Sequence, residues 1–180
     1  DVTFAARVYH GQQASFRVSY DLPDSGPRSN GLIRVGPAVA AFYAWAYGAD
    51  GAAVTIKLPA GFSPTVQGSS LHQAQAADGS TTLTASGLSD PATWAAWITA
   101  ERPSALGSVT IQGPIDGTPE AIEIRAFPED QTWLDAVRSQ LTSALPVLGR
   151  LVRLPWPAAQ GSLVVSEAYA PLLGGYAGLF

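Results

Sequence analysis

The sequence predicts a mainly β protein: an antiparallel β-sandwich with one short helix, followed by the first helix and strands of an α/β unit. Three observations predict it. Up to about residue 127 the chain consists of short runs with apolar residues at every second position, separated by Gly, Pro and Asp-Gly turns. Beyond Pro128 the apolar spacing switches to three and four. A short β-branched run, "GSLVVSEAY", then follows the helical stretch. The expected domains are residues 1–127 for the sandwich and 128–180 for the start of the α/β unit.

Taken in order, residues 2–20 hold two extended runs around the turn-like "HGQQ", with Ala14, Phe16, Val18 and Tyr20 alternating in the second. "DLPDSGPRSNG" is a loop by its prolines and glycines. "LIRVG" reads as a strand, and "AVAAFYAWAYG" as strand or short helix by periodicity alone. The "ADG" at 49–51 marks a turn before a strand carrying Val54, Ile56 and Leu58 on one face. Asp78-Gly79 divides "SLHQAQAA" from "STTLTASG" as a hairpin.

"SDPATWAAWITAERP" opens with Ser89 or Asp90 as N-cap and Pro91 in the first turn, which predicts a short helix ended by Pro103. "SVTIQG" and "EAIEIRAF" are two further strands. Leu134, Val137, Leu141, Leu145, Leu148 and Val152 form one stripe of an amphipathic helix over about 129–153. Glu129 and Asp130 lie in its first turn and Arg150 and Arg153 in its last, as the helix dipole favours. Pro146 is expected to kink the helix or split it in two.

Composition narrows the functions available. With 47% hydrophobic and 13% charged residues the chain is a folding sequence. A net charge of −4, with basic residues scattered without a run, gives no attraction to nucleic acid. No stretch reaches the roughly 18 apolar residues that span a bilayer, so this segment is expected to insert in no membrane. Cys is absent, which removes disulfides, thiolate metal sites and cysteine nucleophiles. Met is absent even at position 1, and the last ten residues, "PLLGGYAGLF", are apolar and glycine-rich. Both ends are therefore expected to be cuts from a longer, exported or cell-surface protein.

No catalytic constellation is visible. His10 and His72 are the only imidazoles and neither has a carboxylate at ligand spacing, so no metal site is expected. No Ser lies in G-x-S-x-G. "GGYAG" lacks the spacing and the Lys of a phosphate loop. Glu120 and Glu123 fall on opposite strand faces, and Glu101 sits in a loop beside Arg102, so surface solvation explains these carboxylates. On a helix Trp94 and Trp97 share a face and could form an aromatic platform for sugars, although burial against the sheet outweighs this reading. Trp45 is likewise expected to be buried, and Trp156, between two prolines, to pin the loop before the last strand.

The order of the C-terminal features carries a resemblance. A striped helix, then "LVRLPWP", then "SLVVSEAY", then "GGYAGLF" is similar to a succession found in aminopeptidase N-like gluzincin zinc metallopeptidases. There a helix ends at a G-x-P-Y-P-like step, a strand follows, and a glycine-led G-A-M-E-N strand aligns the peptide substrate. "FRVSYDLP", "VGPAVAAFYAWAYGADGAAVTIKLPAGF" and "DPATWAAWITAERP" resemble the N-terminal sandwich of a divergent, actinobacterial-type branch.

The resemblance implies a zincin-like second domain and a non-catalytic chain that packs on its own downstream catalytic domain. Zinc and the H-E-x-x-H helix would belong to that domain, with no cofactor in this chain. It also implies a backbone strand at Gly174, Gly175, Tyr176, Ala177 and Gly178 that pairs with an extended peptide. Ala or Gly stands where the family's Glu would grip a free amino terminus. The competing readings are a free-standing extracellular sandwich that binds carbohydrate or cell wall through Trp94 and Trp97, and a structural domain without activity.

Overall fold

The computed structural model describes residues 7, 9–12, 33–115, 118–152, 163–169 and 171, with backbone alone at 113–115, 118–120, 149 and 152. The expected strand with Phe16, Val18 and Tyr20, Trp156, and residues 174–178 lie outside the described residues. At "HGQQ" the turn is present: the Gln12 N–H donates to the Tyr9 carbonyl at 2.9 Å, and Gly11 takes φ 84°.

The described strands form three sheets. One has the order β1–β2–β7–β4, built from β1 (Arg34–Val35), β2 (Val39–Trp45), β7 (Ala95–Glu101) and β4 (Ser63–Gly68), all antiparallel. A second has β3 (Ala52–Leu58), β6 (Thr81–Leu88) and β5 (His72–Gln75) in the order β3–β6–β5. These two pack face to face as a sandwich. Ala40, Ala96, Ile98 and Ala100 from the first sheet meet Leu58 and Leu83 from the second, with Ala46, Phe62 and Trp94 completing the buried cluster. The alternation at Val54, Ile56 and Leu58 lies in register with Ala85, Leu83 and Thr81 of β6, whose Leu83 and Thr81 are buried. Leu83 and Ile98 are fully buried, and each contributes roughly 1.5–3 kcal/mol of transfer free energy.

The third sheet, β10–β9–β8, contains β8 (Gly107–Ile115), β9 (Thr118–Ala126) and β10 (Leu163–Ser166). Helix α1 (Gln131–Val152) packs on it through Leu134, Val137, Leu141 and Leu145, against Ile111, Ile122 and Ile124. β10 runs parallel to β9, Leu163 opposite Ile122, so β9–α1–β10 is a crossover unit.

Four expectations need correction. The segment 90–102 is not a helix: a single 3₁₀ turn at Pro91–Thr93 leads into β7. β7 is the central strand between β2 and β4, with Ala96, Ile98 and Ala100 in the sandwich core and Thr99 buried on the other face, and that tertiary demand overrides the helical propensity of its alanines. Glu101 accordingly ends a strand and does not sit in a loop.

The hairpin β8–β9 belongs with α1 and β10, so the α/β unit begins at Gly107, not at residue 128. A half-buried strand alternates identically whichever sheet it joins.

Pro146 does not split α1, which runs unbroken past it with Leu145 buried against the sheet. Finally, Asp130 precedes the helix as its cap, its Oδ1 accepting the Trp133 N–H at 3.0 Å, while Glu129 points elsewhere.

Candidate functional site

Once 95–101 is a strand, Trp94 and Trp97 can no longer share a face, because side chains alternate sides at every residue. Trp94 is 7% exposed and fills the sandwich core. Trp97 lies half-buried on the opposite face, beside a separate cluster. The Trp94–Trp97 platform is therefore not formed.

A different aromatic row occupies that outer face. Strand alternation in "AVAAFYAWAYG" sends Phe42, Ala44 and Ala46 into the core and Tyr43 and Trp45 outward. Tyr43 sits directly opposite Trp97 on β7, ring centroids 4.5 Å apart at 49°. Trp45 stacks on Tyr43 at 6.1 Å and 21°. Gln67 of β4 lies opposite Trp97 on its other side, so the row runs across three strands. Tyr43 is 42% and Trp45 55% exposed, which corrects the expected burial of Trp45. The signal was in the sequence: aromatics at 43, 45 and 47 share parity. Chemically the row offers flat apolar ring faces beside an amide, and no acid or base.

The other end of the same sheet face is covered by the α/β unit. Ala38, Val39 and Ala41 pack with Phe127 and Tyr169, and Trp97, Ala105 and Leu106 close the cluster. Arg34, on β1, points into this joint and is 4% exposed. Its Nη2 donates to Glu129 Oε1 at 2.8 Å, and its guanidinium lies 4.3 Å from the Phe127 ring centroid and 5.8 Å from that of Tyr169. Burial pushes the Tyr169 hydroxyl pKa up, and the Arg34 charge partly offsets this. Glu167, also buried, accepts the Phe127 N–H through Oε2 at 2.9 Å.

His10 and His72 are both exposed, and among the described residues no three His, Asp or Glu side chains come together as metal ligands. Glu123 pairs with Arg125 two positions on, Oε2 to Nη2 2.9 Å, and this hydrogen bond lowers the Glu123 pKa. Both are on the surface. A shallow depression of about 470 Å³ along α1, lined by Asp135, Arg138, Ser139, Thr142 and Ser143, brings together no nucleophile with a base. No helix among the described residues is long and apolar enough to cross a membrane.

Compared with protein-family models, with curated proteins and with solved structures, the chain matches none.

Proposed function

We propose that the chain is the non-catalytic N-terminal portion of a gluzincin-like zinc metallopeptidase, exported or held at the cell surface. In this reading the sandwich packs on a downstream catalytic domain and lines its cleft. The observation that supports it best is the crossover β9–α1–β10. A strand, an amphipathic helix and a second strand parallel to the first precede the glycine-rich run at 174–178 in the sequence. The helix followed by a strand is the element order the resemblance implies ahead of a substrate-aligning strand.

β10 lies at the edge of its sheet among the described strands, which suits addition of a further strand there. Among the described residues His10 and His72 are exposed and no three His, Asp or Glu side chains come together, which suits a zinc site placed elsewhere. The metal and the hydrolytic step belong to the downstream domain. Metal analysis of the purified chain after equilibration with zinc tests this. Less than a tenth of an equivalent is expected, and one tightly held equivalent per chain overturns the reading.

One observation favours a second reading, a free-standing sandwich that binds carbohydrate or cell wall. The exposed row Tyr43–Trp45 with Trp97 is the kind of surface on which pyranose rings stack. Titration with soluble pyranose polymers, followed by tryptophan fluorescence, is its test. The reading expects a saturable change that Trp45→Ala abolishes, and the absence of any change removes it.

A further inference from the structure

The contact between the sandwich and the α/β unit combines one apolar cluster with one buried cation. Ala38, Val39 and Ala41 supply the sandwich side of the cluster, and Phe127 and Tyr169 supply the other. Arg34 reaches across from β1, and its nearest described partners come from one short connection between β9 and α1: the Phe127 ring beneath it and the Glu129 carboxylate beside it, with the Tyr169 ring farther off.

That connection is itself held. The Phe127 N–H donates to Glu167, the Asp130 N–H donates to the Phe127 carbonyl at 2.9 Å, and Asp130 caps α1. The receiving side is shaped as well. Gly36 has no Cβ, and one built there would stand 2.6 Å from Glu129 Oε1. Arg34 Nε and Glu129 Oε2 are buried without hydrogen-bond partners among the described residues, so the pair is only partly compensated for leaving water.

We infer that Arg34–Glu129 is a latch that couples the two units into one cooperative body, and that losing it opens the joint before either core melts. The reason is energetic. A buried pair whose desolvation is only partly repaid adds little net stability, yet removing one partner strands a buried charge. Each core is separate from the joint, since Ala38, Val39, Ala41, Phe127 and Tyr169 belong to neither core cluster. The cheapest way to rehydrate the stranded guanidinium is therefore to separate the units. The inference concerns this joint alone and holds whatever lies downstream.

Hydrogen exchange followed by mass spectrometry across a urea series tests it on the 180-residue chain. In the wild type, amides of β2 and β7 and amides of β9 and α1 are expected to lose protection together. In Glu129→Gln the two sets are expected to separate, one exchanging at least ~10-fold faster while the other stays protected. If Glu129→Gln does not fold, Glu129→Asp replaces it, keeping the charge but withdrawing the carboxylate by one methylene. The inference is overturned if the sets already separate in the wild type. It is equally overturned if the variant shifts both sets by the same amount.

Discussion

Glu129 lays its carboxylate against Gly36 so closely that a methyl group there would stand 2.6 Å from Oε1. The two residues belong to different units, and the space between them is what lets Glu129 reach Arg34 at 2.8 Å. Gly36→Ala is accordingly expected to cost about 1–3 kcal/mol in urea unfolding, through displacement of the carboxylate. In a Glu129→Ala background the same substitution should cost under ~0.5 kcal/mol, since the obstructing group is gone. Equal costs in both backgrounds would show that Gly36 matters for another reason.

Trp94, beside β7, and Trp45, on β2, should behave differently from each other. Trp94 fills the sandwich core, and Trp94→Ala is expected to destabilise by ~3–5 kcal/mol. Trp45 stands 55% exposed on the outer row, so Trp45→Ala should cost less than ~1 kcal/mol. Urea midpoints for the two variants check this, and a reversed order would mean that the faces of β2 and β7 are assigned the wrong way round.

The β5–β6 turn carries a pH signature. The Ser80 hydroxyl donates to Asp78 Oδ1 at 2.6 Å and the Ser80 N–H at 2.9 Å, which lowers the Asp78 pKa below its ordinary value. A carboxyl depressed in the folded state stabilises it above the unfolded pKa. That contribution is lost as pH falls through the lower, folded value. Ser80→Ala is expected to move the Asp78 pKa back toward the ordinary value while leaving the backbone contact in place. Carboxyl-carbon NMR titration reads it directly, and an unchanged midpoint in the variant would rule out the hydroxyl as the main cause.

Local pattern made much of this fold legible. Asp78-Gly79 closes the β5–β6 hairpin as its turn chemistry requires, with Gly79 at φ 80°. Val54, Ile56 and Leu58 mark β3, and the three-and-four spacing from Leu134 to Leu145 marks the buried stripe of α1.

The failures have physical causes. β7 is a central strand buried along its core face and, at Thr99, on the outer face as well, so its alternation fades and its alanines read as helix. β4 carries no readable strand pattern because Pro64 interrupts it, and β4 is an edge strand among the described ones, where proline is tolerated. Which sheet β8 and β9 join depends on α1, which their own residues do not encode. The Arg34–Glu129 pair spans 95 positions, and no local pattern reports a contact of that range. The outer aromatic row, by contrast, was readable from the shared parity of Tyr43 and Trp45 once β2 was taken as a strand.

The measurement that bears most directly on the proposed function is the coding sequence that continues the reading frame beyond Phe180. The proposal predicts an H-E-x-x-H motif within about 60 codons, on a segment with helical periodicity and followed at a distance by a Glu, the ligand set a gluzincin zinc site requires. A frame that runs through that interval without H-E-x-x-H, or closes before it, would contradict the metallopeptidase reading.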